Sequence, residues 1–276
     1  MNAFSKTIIA ASIAAASLFG ANASADEFNP FGVNPVGSYD NFTADKIVGG
    51  YSEIATFNDN GTFDVSLLWN ASGFFANGGT LALDGRETGL GAGYGLYAIY
   101  KASGSVGVDA AGRTTFNFLP GSGFLEMYLD TGTITKNGGT PTTGTGDFTL
   151  TGNESDVLLA SGDPLSGLGT LDPTLSTCTN GTGGQGINCG SFGSKTSFAL
   201  TAEGSNFFIS PTPFYNLSFQ SGQLNNFTPT GTVAINGSLD VVFQNAAEVP
   251  EPASVGLLGL GMLGLYAARR RNKKAA

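Results

Sequence analysis

From Gly61 to Trp69 the chain reads GTFDVSLLW, which places Phe63, Val65, Leu67 and Trp69 on one face of an extended strand. Short alternating segments of this kind, cut by Gly, Asn and Pro, recur along the chain. Between Asp26 and Glu248 no long, capped run with a 3.6-residue period interrupts them. Further strands are expected at Tyr94–Tyr100, Thr114–Phe118, Phe124–Leu129, Phe148–Thr151, Val157–Ala160, Thr196–Thr201, Tyr215–Phe219, Val233–Ile235 and Leu239–Phe243. Asn60-Gly61 and Asn236-Gly237 read as hairpin turns, the second linking the last two strands, and Pro120–Gly123 reads as another turn. Asn58–Gly61 lacks the regular oxygen spacing of a calcium loop and is read as a turn. The Gly- and Thr-rich stretches Thr131–Gly146 and Gly162–Gly190 read as long surface loops. The fold class is all-β, an antiparallel sandwich or barrel, with a β-sandwich or jelly-roll-like body as the leading form. Gly- and Thr-rich edge strands would be free to pair between copies.

Composition supports a folded chain with many turns. Gly accounts for 42 of 276 residues, and 21 Phe and 8 Tyr supply a core although only 12% of residues are charged. The stretch Asp26–Glu248 holds 6 basic against 20 acidic residues, a net of −14, which repels nucleic acid and anionic lipid headgroups. There is no histidine, which excludes Ser-His-Asp and Cys-His catalysis and His-ligated zinc. No cofactor motif is present. Eight Asn-x-Ser/Thr triplets, at Asn41, Asn60, Asn70, Asn153, Asn180, Asn216, Asn226 and Asn236, follow from a composition rich in Asn, Ser and Thr.

Residues 1–25 read as a secretory signal peptide. Lys6 supplies the positive start, Thr7–Ala21 the apolar run, and Ala23-Ser24-Ala25 the small-x-small cleavage site, with Ala23 and Ala25 as its recognised positions. Export to an oxidising compartment suits the two cysteines. Cys178 and Cys189 bracket a flexible Gly-rich interval and are expected to form a disulfide; their spacing is not that of a redox C-x-x-C pair.

Residues 249–276 differ from the β-rich body at 26–248. Pro250-Glu251-Pro252 holds the chain extended, Ala253–Ala268 is a run of uncharged, mostly apolar residues, and Arg269, Arg270 and Arg271 follow at once. As a helix that run reaches about 24 Å at 1.5 Å per residue, against a hydrocarbon core of roughly 30 Å. It is therefore a single short transmembrane helix that spans only marginally, with the basic cluster on the cytoplasmic side. This three-part tail resembles the PEP-CTERM sorting signal of exported proteins from Gram-negative bacteria that make extracellular polysaccharide. The resemblance implies processing by exosortase, a membrane cysteine transpeptidase, with Pro250, Glu251 and Pro252 as the sorting motif and Arg269–Arg271 as the basic stop signal. It also implies transient anchoring in the inner membrane, then release to the cell surface or extracellular matrix.

The body is similar to the flocculation-associated PEP-CTERM proteins over ADKIVGGYSEIATF (Ala44–Phe57), GTFDVSLLWNASGFFANG (Gly61–Gly78), GLGAGYGLYAIYKASGSV (Gly89–Val106) and TTFNFLPGSGFLEMYLD (Thr114–Asp130). That likeness implies a surface protein, structural or adhesive, acting in an exopolysaccharide matrix during flocculation or biofilm growth. The expected partners are exosortase and that matrix, with no nucleic acid and no catalytic role. One alternative is a simple membrane-anchored protein whose tail is never cleaved; two others concern the body. A lectin-like module would stack sugar rings on aromatics drawn from Trp69, Tyr94, Tyr97 and Tyr100. Of these, Tyr97 has the parity of an outward residue, whereas Trp69 shares the face of Phe63, Val65 and Leu67. A glycosidase would need a carboxylate pair from among Asp84, Glu87, Glu126 and Asp130.

Overall fold

The computed structural model describes residues 28–132, 135–136, 138–178 and 188–246. The signal peptide and the sorting tail, with Ala23, Ala25, Pro250–Pro252 and Arg269–Arg271, lie outside them.

Eight strands form a wall in chain order. The first three are Lys46–Phe57, Thr62–Ala76 and Gly95–Val108. The fourth runs in two segments, Thr114–Phe118 and Phe124–Asp130, as does the fifth, Val157–Gly162 and Pro164–Leu171. The sixth comprises Gly190–Ser197 and Ala199–Leu200; the seventh is Leu217–Leu224 and the eighth Gly231–Gln244. Each pairs antiparallel with the one before it. The eighth then pairs with the first, from Gly231 opposite Phe57 to Val241 opposite Ile47, and the ring closes.

This is an up-and-down β-barrel. The all-β expectation holds, but a jelly-roll-like sandwich does not, because each wall connection joins neighbouring strands and none makes a Greek-key crossing. Three local expectations change with it. Pro120–Gly123 does not reverse the chain: the segments on either side both pair with the third strand, so it is an excursion within one long strand. Asn236-Gly237 lies inside the eighth strand, where Gly237 faces Tyr51 across the ladder and leaves room for that ring. Pro164–Leu171, expected as loop, is wall strand; its three-residue run of Gly-Leu-Gly hides the alternation.

The interior is mainly apolar. Phe63, Val65, Leu67 and Trp69 point inward as their period predicts, with Trp69 only 1% exposed, and they meet Leu96, Ala98, Tyr100, Met127, Leu239 and Val241. The outer face carries Ser52, Thr56, Asp64, Asn70, Lys101, Ser103, Asn117, Lys195, Asn236 and Asp240. This is the opposite polarity to a barrel whose wall faces lipid. Among the described residues no helix is long and apolar enough to cross a membrane. A small sheet of Phe208–Ser210, Phe31–Val33 and Phe42–Ala44 lies outside the ring.

The Cys178–Cys189 disulfide is formed and ties together the two ends of the connection between the fifth and sixth strands. Both cysteines are buried. Replacing both with serine is expected to lower stability by about 2–3 kcal/mol, since the loop they close is short. Urea unfolding of the double variant checks this, and an unchanged midpoint would show that the cross-link is dispensable.

Candidate functional site

Strand direction gives the barrel two distinct poles. One gathers the start of the first strand and the end of the eighth, so the described chain enters and leaves there. Asn29 Nδ2 donates to the Phe243 carbonyl (3.2 Å), Tyr215 Oη to that of Pro30 (2.9 Å), and the Ala246 amide to Asn216 Oδ1 (2.7 Å). An aromatic cluster packs beneath these contacts. Phe243 lies 5.1 Å from Phe31, 4.8 Å from Phe198 and 5.3 Å from Phe214 between ring centroids. Its edge-to-face and tilted rings fit the aromatic quadrupole. Pro250 follows Ala246 by four residues in sequence.

The opposite pole carries the tight turns. Asn58–Gly61 makes the hairpin its sequence predicts: the Asn58 amide donates to Thr62 O (2.8 Å), the Gly61 amide to Asn58 O (3.0 Å), and Gly61 takes a φ of 78°. Below these turns Phe57, Phe63, Phe116, Phe118 and Phe227 line a cavity of about 20 Å³ together with Glu53. Phe227, from the connection before the eighth strand, stacks over Phe57 and Phe116. Glu53 has no hydrogen-bond or ion-pair partner among the described residues. Solvent reaches part of its side chain, yet the protein packed around its carboxyl dominates, and burial pushes its pKa up to about 8.

Deeper in the lumen a second cavity of about 30 Å³ is lined by Leu67, Trp69, Tyr100, Phe192 and Gln220. Tyr100 Oη and Ser194 Oγ share a hydrogen bond (2.9 Å), and Gln220 Nε2 donates to Ser218 Oγ (2.6 Å) and Thr196 Oγ1 (3.1 Å). Each cavity has room for about one water, far below the roughly 300 Å³ of a typical small-molecule site. The lumen is a packed core and not a carrier's pocket.

A third site lies on the outer wall. Tyr97 points outward, as its parity predicts, but it is only 2% exposed, which corrects its expected role as a sugar platform. The connection from 131 to 156 folds back over it. Tyr97 stacks on Tyr128 at 5.2 Å, and its hydroxyl donates to Asp156 Oδ2 (2.7 Å). Lys136 reaches into this cover and is 2% exposed, with its Nζ 5.3 Å from the Tyr97 ring centroid. The ammonium lies 2.7 Å from Asp130 Oδ2, 2.8 Å from Asp156 Oδ2 and 2.9 Å from the Gly152 carbonyl. Burial works to lower the Lys136 pKa, but the two carboxylates outweigh it and hold the pKa above the ordinary lysine value. The backbone is fixed as well: the Lys136 amide donates to Asn70 Oδ1 (2.8 Å) and Asn70 Nδ2 donates to the Lys136 carbonyl (3.1 Å).

The other sequence candidates are dispersed. Trp69, Tyr94 and Tyr100 all face inward and are buried. Asp84 caps the short helix Gly85–Thr88 by accepting from the Arg86 amide (2.9 Å), and Glu87 lies in that helix's first turn. Glu126 accepts from the Tyr128 hydroxyl (2.7 Å), and Asp130 belongs to the Lys136 cluster. No group of three potential metal ligands occurs among the described residues. Glu53 was legible in principle, since YSEIATF puts it on the same face as Tyr51, Ala55 and Phe57. Lys136 and Asp156 sit in Gly- and Thr-rich or polar sequence with no periodicity to mark them.

Compared with known families, residues 248–271 match the PEP-CTERM protein-sorting motif. That segment contains both Pro250–Pro252 and Arg269–Arg271. No curated protein and no solved structure matched the chain, so the likeness of the body to flocculation-associated proteins gains no support from them.

Proposed function

We propose that this chain is an exported surface module, processed by exosortase at its C-terminal motif, that serves a structural or adhesive role in an extracellular polysaccharide matrix. The observation that carries the reading is the sorting motif at residues 248–271, beginning two residues beyond the last described residue of the barrel, Ala246. In this reading the export signal at 1–25 and the short helix at 253–268 deliver the body across the inner membrane of a Gram-negative bacterium. They hold it there until the tail is cut.

The barrel suits that role. Its tail leaves from one pole, so the turns of the other pole, including the disulfide-tied connection, face away from the attachment point. Its body is acidic, which discourages contact with anionic headgroups once the tail is released. The packed lumen, the lack of histidine and the structural engagement of Asp84, Glu126 and Asp130 favour a scaffold over a catalyst. A lectin-like role is the second reading. It would use the open outer groove of Ser191, Ser221, Gln223, Ser238 and Asp240, whose hydroxyls, amide and carboxylate can hydrogen-bond sugar. Specific binding of the purified body on a glycan array would favour it over the scaffold.

The C-terminus of the mature protein tests the main reading. In cells with exosortase the chain is expected to end near Pro250–Pro252; in cells lacking the enzyme it should retain the tail. An identical C-terminus in both strains, read by intact mass and peptide sequencing, would sink the proposal.

A further inference from the structure

We propose that Lys136 and Asp130 condense into an intramolecular isopeptide bond, with Asp156 as the proton relay. The reacting groups are already gathered and shielded. Lys136 Nζ lies 2.7 Å from Asp130 Oδ2 and 2.8 Å from Asp156 Oδ2, with both lysine and Asp130 buried. Asp130 Oδ1 is held by the Gly132 amide at 2.8 Å, an N–H placed to stabilise the negative charge that develops on that oxygen. The Tyr97 hydroxyl fixes Asp156 at 2.7 Å, and the Tyr97–Tyr128 stack covers the cluster. Held this way, amine and carboxyl react as one molecule and gain the advantage of a fixed approach.

The step balances without any co-reactant. Asp156 takes a proton from the ammonium, and the freed nitrogen lone pair attacks Cγ of Asp130. The new C–N bond forms, and the tetrahedral oxygen Oδ1 is held by the Gly132 amide. Nζ gives up a second proton. Both protons pass through Asp156 to Oδ2, the C–Oδ2 bond breaks, and water leaves. An ion pair becomes a neutral amide, and Asp156 returns to its starting state. A shielded site favours that exchange, because a buried charge pair is costly to keep out of water and a buried amide is less so.

The test uses the exported protein purified from cells, reduced so that the disulfide adds nothing, and cleaved after glutamate. The expected product is the peptide Met127–Glu154, one water lighter than its sequence, in which trypsin does not cut after Lys136. A peptide of full sequence mass overturns the proposal. So does a lighter peptide that trypsin still cuts after Lys136, which would be a cyclised aspartate. Met127–Glu154 joined to Ser155–Glu203 would make Asp156 the acceptor and overturn the assigned roles. The variant Asp156→Asn keeps both bonded residues and should leave the peptide at full mass. Full bond formation in that variant would overturn the relay. Lys136→Arg supplies the unbonded reference mass.

Discussion

Replacing Trp69 with alanine should cost the barrel about 3–5 kcal/mol. The indole is 1% exposed, and its Nε1–H donates to the Leu239 carbonyl of the eighth strand at 3.2 Å. It therefore ties the second strand to the eighth across the interior. Gly49 makes this possible, since a Cβ there would collide with the indole and with the Asn70 carbonyl. Alanine would remove the ring, enlarge the adjacent cavity of about 30 Å³ and take away the indole's hydrogen bond to the Leu239 carbonyl. The cavity and the lost partner are separate costs. Trp69→Phe keeps much of the volume and should cost less. Because Trp69 is the only tryptophan, unfolding must be followed by circular dichroism rather than by its fluorescence. A loss below about 1 kcal/mol for the alanine variant would mean that the lumen is not the close-packed core described above.

The second large effect is a fall in stability between about pH 5 and pH 8. Glu53 has an ordinary pKa near 4.5, and burial raises it to about 8 in the folded barrel. Below the ordinary value both states hold the proton and the site costs nothing. Between the two values the folded protein keeps a proton that the unfolded chain has released. Stability therefore declines as pH rises, by up to about 1.4 kcal/mol per pH unit, and levels off above the folded pKa. Glu53→Gln should flatten that slope, leave stability near pH 4.5 little changed and make the variant more stable than the parent at pH 8. The chain makes this a clean experiment. With no histidine, no other side chain has an ordinary pKa in the window. Asp109 and Asp172, whose hydrogen bonds lower their pKa values, change stability only at the acid end. Urea titrations of parent and variant at several pH values check it, and equal slopes would place the Glu53 carboxyl in water.

Alternation made only part of the wall legible: the first strand, Lys46–Phe57, and most of Gly190–Ser197 were not among the expected strands. The run from Phe63 to Trp69 shows its buried face in the sequence, and Asn58–Gly61 shows its turn, because both depend on neighbours in the chain. Ring closure could not be seen, since the pairing of the eighth strand with the first joins residues far apart in sequence. The Asn236-Gly237 error has the same origin. The glycine answers a partner, the Tyr51 ring, and not the local backbone. Tyr97 repeats the lesson at the site. Parity gave its direction correctly, but the cover over it comes from a Gly- and Thr-rich connection with no pattern of its own. The sorting motif at 248–271 was legible, because its signal is an order of short segments and requires no tertiary partner.

Closure of the ring also limits how copies of this protein can cling to one another. A strand with an unpaired row of amides and carbonyls is a template for the next molecule, and sheets that end in one tend to grow. Here both sides of every wall strand are taken, so the wall offers a neighbouring barrel no backbone to continue. Contacts between the walls of two such barrels must pass through side chains or through the polymer around them. Packed wall to wall, such barrels would not merge into one continuous sheet.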